Sequence, residues 1–206
     1  MALVKYNNNS LSAVTSAASF PAGAMTLIKT LTASSSANLS FVHGSSDVVF
    51  DSTYPIYLFK YINCHPSAAS TLSFNGSIDT GSNYNVAKTS SSFYGLHKED
   101  DSSTALGYRT TDDRAESTSP QILNTDSGAD NDQSTSGEMF LFNPSSTTFI
   151  KHFITNTNFS QLNDLTMNFF TAGYGNTTSA IDAVQFSQGS GNIDAGTFKL
   201  YGIKDS

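Results

Sequence analysis

The chain has 206 residues, enough to bury one sizeable core without metals or disulfides, and it holds 33 Ser, 23 Thr and 17 Asn against only 13% charged residues. Ten Lys and Arg against 17 Asp and Glu give a net charge of -7, which repels phosphate backbones and anionic lipid and argues against nucleic acid as a partner. The good helix formers are scarce while 15 Phe, 9 Tyr and the many Thr favour strands, so an all-helical fold is excluded.

Taken in chain order, residues 1–23 are rich in Asn, Ser and Ala and read as an N-terminal arm ahead of a single β-domain over 24–206. Met1 to Asn9 shows no basic segment followed by an apolar run, so no signal peptide is expected there. No stretch approaches about 18 consecutive apolar residues, so no membrane span is expected either. Apolar residues then recur with period two in short bursts separated by turn residues. Thr26 to Leu31 and Leu39 to Phe41 are the first two strands. The run from Tyr54 to Ile62 is apolar on both faces, which predicts a strand in the interior of a sheet. Thr71 to Phe74 ends before Asn75-Gly76, read as a turn. Glu138 to Phe142, Thr148 to Thr155, Leu165 to Thr171, Ala183 to Ser187 and Thr197 to Ile203 complete the set. Eight or more short strands with regular turn signals predict an all-β, antiparallel two-sheet β-sandwich, jelly-roll-like in arrangement.

Between about Thr89 and Ser136 the alternation fails. Glu99-Asp100-Asp101, Asp112-Asp113, Asp126, Asp130 and Asp132 crowd a stretch with few large apolar residues. That composition predicts a loop-rich acidic insertion over residues 89–136, standing out from one end of the sandwich.

Chemistry-bearing motifs are sparse. His43, His65, His97 and His152 are dispersed without the spacing that puts two ligands on one face. Cys64 stands alone, which excludes an internal disulfide. Gly-x-Ser-x-Gly is absent, and Gly173-x-Gly175 and Gly189-x-Gly191 read as turns. Asp126, Asp130 and Asp132 form a weak Ca²⁺ candidate: alternating carboxylates on a loop can gather oxygen ligands, but the Gly is misplaced for an EF-hand and solvated charge is the simpler reading. Three Glu and no Trp offer little for glycoside hydrolysis. No catalytic residue and no cofactor are therefore expected. Tyr84, Tyr94, Tyr108 and Tyr174 sit beside turn residues and are the candidate ligand or interface aromatics, for stacking on sugars or for anchoring loops.

The most specific segment is the last: Ile181 to Ser187, then Gly191-Asn192-Ile193-Asp194-Ala195-Gly196-Thr197-Phe198-Lys199-Leu200-Tyr201-Gly202-Ile203-Lys204. It resembles the ending of small structural virion proteins of tailed, often marine, phages. The Met25 to Thr30 and Glu138 to Pro144 segments resemble the same pattern. On the residues themselves, two strands joined by a tight Gly191-Asn192 link would make a closing hairpin. The resemblance implies a non-enzymatic virion component, a capsid decoration or cement protein, with a tail-fibre or receptor-binding tip as the alternative. It implies a homotrimer, the major capsid protein or another virion protein as partner, location on the virion, and host-surface glycans as a further ligand class. The fibre reading lacks support in heptads or shaft repeats, so the shell reading is preferred.

Overall fold

The computed structural model describes residues 24–204, and the arm over 1–23 lies outside them. The described chain is all-β, with two antiparallel sheets. Thirteen strands follow in order: β1 Met25–Ser36, β2 Asn38–Val42, β3 Ile56–Pro66, β4 Leu72–Ser77, β5 Lys88–Lys98, β6 Thr104–Tyr108, β7 Arg114–Ser117, β8 Gln121–Ile122, β9 Thr135–Phe142, β10 Lys151–Gln161, β11 Leu165–Gly175, β12 Ala183–Gln188 and β13 Ile193–Ile203. The large sheet has nine strands in the order β1-β13-β3-β9-β10-β11-β5-β6, with β7 also on β5, and the small one has four, β2-β12-β4-β8. Among β1-β13-β3-β9 and β2-β12-β4-β8 the first strand pairs the last and the second pairs the next to last, so the chain alternates between the sheets as it winds.

Apolar side chains on alternate positions decide which face turns inward. Tyr57, Phe59 and Tyr61 of β3, Phe198 and Leu200 of β13, and Met139 and Leu141 of β9 meet Phe41, Phe74, Val184 and Phe186 of the small sheet in one buried cluster. Phe186 is its hub, with ring centroids 5.1 Å from Phe198 and 5.6 Å from Phe59. The interior position expected for Tyr54 to Ile62 is observed, since β3 lies between β13 and β9. A bulge between Leu27 and Lys29 shifts the register of β1, so that Ile28 and Leu31 reach the core while Leu27 turns outward.

Three local expectations are corrected. Asn75-Gly76 is not a turn but continues β4. The Asn75 amide is buried and donates to the Tyr84 and Thr118 carbonyls at 2.6 and 2.9 Å, so tertiary hydrogen bonds override the turn preference of the pair. Gly173 and Gly175 likewise lie within β11. Gly191-Asn192 does not close a hairpin: it carries the chain from β12 in the small sheet to β13 in the large one, tied by Ser67 N–H donating to the Asn192 carbonyl at 3.0 Å.

The acidic insertion over 89–136 is the main correction. It contains β5, an eleven-residue strand inside the large sheet, together with β6, β7 and β8. Beyond β8 the chain folds back as a cover: Gln121, Leu123, Asn124 and Ser127 are fully buried. Their polar atoms are satisfied, Asn124 Oδ1 accepting from Leu72 N–H at 2.6 Å and its Nδ2 donating to Thr135 Oγ1 at 2.6 Å. A second cluster of Phe159, Met167 and Phe169, with Tyr94, Leu96 and Ile122 against it, lies under this part. Ser, Thr, Asn and Gln build the cover with hydrogen bonds in place of apolar area, which is why apolar periodicity does not signal it.

Candidate functional site

The two faces of the large sheet differ in kind. Strand β10 shows the division residue by residue, with Phe153, Thr155, Thr157 and Phe159 buried and His152, Ile154, Asn156 and Asn158 exposed between them. Antiparallel register then sets the outward residues into lateral rows. One row is apolar: Leu27, Tyr201, Leu58, Phe140 and Ile154 stand side by side across β1, β13, β3, β9 and β10. Leu27 is 50% and Ile154 49% exposed at the two ends of the row, Tyr201 and Phe140 are half-buried, and Leu58 between them is covered by its neighbours.

The next row changes character along its length. Lys60, Glu138, Asn156, Phe170, Phe93 and Tyr108 follow one another across β3, β9, β10, β11, β5 and β6. Beside it run Ser136, Asn158, Asn168, Gly95 and Leu106. Together the polar halves of both rows line a trough of about 420 Å³ formed by Lys60, Ile62, Ser136, Glu138, Asn156, Asn158 and Asn168. Lys60 and Glu138 form an ion pair at 3.8 Å across its end. Asn158 Nδ2 is held by Thr166 Oγ1 at 3.0 Å and the Met167 carbonyl at 3.3 Å, which leaves its oxygen facing out. At the aromatic side Phe93 and Phe170 stack with centroids 5.0 Å apart and planes 16° from parallel.

The four tyrosines singled out in the sequence are not gathered. Tyr108 lies on this outer face and donates its hydroxyl to Asp113 at 2.8 Å. Tyr174 is on the same face at the opposite end, its ring edge-on to His152 at 6.1 Å. Tyr94 turns inward with Arg109 over its ring at 5.7 Å, and Tyr84 lies in the β4–β5 connection. The aromatics that do come together on this face, Phe93 and Phe170, are not among these four. Their signal, and that of Asn156, Asn158 and Asn168, lay in the strands themselves: Asn is disfavoured in strands, and its recurrence at every second position of Thr155 to Asn158 marks outward sites kept for something other than packing.

Asp126, Asp130 and Asp132 are all exposed, and no group of three metal-ligating side chains is found among the described residues. Asp132 instead lines a second, polar pocket of about 500 Å³ with Asn63, His65, Gln133 and Asp194. His65 Nε2 is 3.2 Å from the Asp130 carbonyl. The other histidines stay apart: His43 Nδ1 accepts from Phe50 N–H at 2.9 Å, and His97 reaches Asp101 at 3.0 Å on the β5–β6 hairpin.

Two buried amines were not foreseen. Lys88 and Lys151 flank Gly175 on the inner face, and both are fully buried. Lys88 Nζ donates to Asn75 Oδ1 at 2.6 Å and to the Val86 carbonyl at 2.8 Å. Burial pulls its ammonium down from the usual lysine range to about 7, helped by the nearby positive charge of Arg114. Burial lowers Lys151 in the same direction. The cavity both line holds only about 20 Å³, room for about one water, so a substrate has no access to these amines. Cys64 is buried too, and burial pushes its thiol up, away from the reactive thiolate.

Compared with known proteins, the chain matches no family model, no curated protein and no solved structure.

Proposed function

We propose that this chain is a non-enzymatic structural protein of a tailed-phage virion, a decoration or cement protein that sits on the outer shell by adhesion of its surfaces. The observation that carries this reading is the apolar row Leu27, Tyr201, Leu58, Phe140 and Ile154 on the outer face of the large sheet, exposed at Leu27 and Ile154 and half-buried at Tyr201 and Phe140. A lone soluble domain gains nothing by keeping such a row in water, whereas a component of an assembly buries it against its neighbour. The neighbour is a second and third copy around a three-fold position, the major capsid protein, or both.

The strand order adds support. Eight of the thirteen strands, β1-β13-β3-β9 and β2-β12-β4-β8, alternate between the two sheets, an order we read as jelly-roll-like, and jelly rolls are used by capsid and lectin domains. That is an argument from fold analogy, and the outer face supplies the argument from the site. The resemblance of the ending Leu200-Tyr201-Gly202-Ile203 to small virion proteins points the same way. Tyr201 and Ile203 belong to the outer face, in lateral register with Leu58 and Ile56.

The test is an antibody against this protein applied to intact virions. Label over the whole head supports decoration. Label confined to the tail supports the second reading, a fibre or receptor-binding tip, which the polar trough beside the apolar row favours. No label on the virion ends both.

A further inference from the structure

Beyond any place on a particle, we propose that the trough across β3, β9, β10 and β11, continued by β5, is a saccharide-binding site, and that its ligand is a neutral oligosaccharide lying across the strands. The polar side offers paired donors and acceptors: the amides of Asn156, Asn158 and Asn168 and the hydroxyl of Ser136. Asn156 and Asn168 have no side-chain hydrogen-bond partner among the described residues, and Asn158 keeps its oxygen free while its nitrogen is fixed. Asn156 and Asn168 can each offer a donor and an acceptor to a vicinal pair of sugar hydroxyls, and Asn158 offers an acceptor.

The aromatic side supplies the other half of sugar recognition. Phe170 is the direct cross-strand neighbour of Asn156, and Phe93 that of Phe170. Their parallel stack forms a ledge against which the apolar C–H face of a pyranose can lie while its hydroxyl edge meets the amides. Gly95, next to Asn168 in the second row, keeps the floor open: a Cβ there would meet no atom within 4 Å. From β3 to β11 the trough spans three strand spacings, roughly 14 Å, and Phe93 on β5 continues the surface beyond it, which suits more than one sugar unit in a line.

Charge selects the ligand class. Lys60 and Glu138 neutralise each other at the end of the trough, and no other charged side chain lines it. A phosphate or polyanion finds no uncompensated cation there. An apolar helix would leave the amides of Asn156 and Asn168 and the oxygen of Asn158 without partners in a desolvated interface. A neutral polyol satisfies them.

The experiment uses the full chain on a printed array of neutral and acidic oligosaccharides, followed by saturation-transfer NMR and titration calorimetry with the strongest neutral binder of the array. The expected result is binding to at least one neutral oligosaccharide, weakened at least tenfold in Asn156→Ala/Asn168→Ala and in Phe170→Ala. Tyr174→Ala, at the far end of the same face, leaves binding unchanged. The double Asn variant removes exposed side chains without partners among the described residues, so its melting temperature stays that of the parent. An array without neutral binders overturns the proposal, as does binding that the Asn variant leaves intact. So does a concentration-dependent self-association that shifts the NMR signals of Asn156 and Asn168, which would assign the trough to a second copy. None of these outcomes depends on where antibody labels the virion, so this proposal and the structural reading stand or fall separately.

Discussion

Tyr61 lays its ring over Gly137, its cross-strand neighbour, and carries its hydroxyl to Thr157 on the strand beyond. The pair joins β3, β9 and β10 on the inner face directly beneath the trough. A Cβ at Gly137 would stand 2.5 Å from the Asn156 carbonyl and 2.7 Å from the Tyr61 ring. Backbone cannot yield as a flexible side chain can, so Gly137→Ala is expected to cost about 1–3 kcal/mol by overpacking. Tyr61→Phe keeps the ring but leaves the fully buried Thr157 hydroxyl without it, for about 1–3 kcal/mol. Chemical denaturation of both variants checks the values, and a Gly137→Ala chain as stable as the parent would contradict the packing described.

Lys88 makes stability depend on pH in the opposite sense from an ordinary ion pair. Its folded-state value of about 7 lies below the ordinary lysine value of 10.5. The unfolded chain therefore binds more protons between these values, and stability rises as pH increases through that window. Below pH 7 the cost of burying the ammonium is fully present, on the order of a few kcal/mol. Lys151 adds in the same direction. At the alkaline end the trend reverses, because burial raises Tyr57 to about 12 and also raises Tyr61 and Cys64, whose neutral forms the fold requires. Melting curves from pH 6 to 9 should climb for the parent and climb less for Lys88→Met. A parent curve falling across that range would refute the assignment.

Arg109 ties the folded-back cover to the sheet. It donates Nε to Asp112 at 2.9 Å and an η nitrogen to Thr125 at 3.1 Å, and it lies over the Tyr94 ring. Asp112 is buried, so Arg109→Ala leaves its charge only the Thr111 hydroxyl at 3.1 Å and the field of Arg114. The expected loss is about 1–3 kcal/mol, between the values for exposed and for fully buried pairs. Hydrogen exchange should accelerate over residues 109–134 first and in β3 and β13 only with global unfolding.

The apolar row gives the most direct test of assembly. Ile154→Glu alters a half-exposed side chain, so its effect on intrinsic stability should stay within about 0.5 kcal/mol. Incorporation into virions, followed by co-sedimentation, should fall at least tenfold. Unchanged incorporation would show that the outer face is not the docking surface.

Much of the architecture is written in one-dimensional pattern. Alternation such as Phe153, Thr155, Thr157 and Phe159 against His152, Ile154, Asn156 and Asn158 specifies a strand and its two faces, because side chains of an extended chain point alternately to either side. The apolar run in β3 places it inside the sheet, between β13 and β9, although the second face that the run led one to expect covered carries the half-exposed Lys60 and the exposed Ile62. Scarce helix formers and abundant Thr, Phe and Tyr exclude the helical alternative.

Partnership between distant strands is a different kind of fact. Whether β12 pairs β13 or crosses to the other sheet depends on Phe186 reaching Phe198 from the opposite side of the core, and Gly191-Asn192 serves either path. Residues 89–136 carry too little apolar pattern to reveal β5 or the buried cover, since Gln121, Asn124 and Ser127 are held by hydrogen bonds to groups from 8 to 52 residues away in sequence. The trough is set by lateral register alone. Lys60, Asn156 and Phe170 become neighbours because β9 and β10 align Glu138 with Asn156, and a slip of one residue would turn every one of them to the other face. Local pattern therefore specified the strands outside residues 89–136 and their two faces, and tertiary register decided which outward side chains meet, because pairing energy depends on contacts between segments and not on the residues within one.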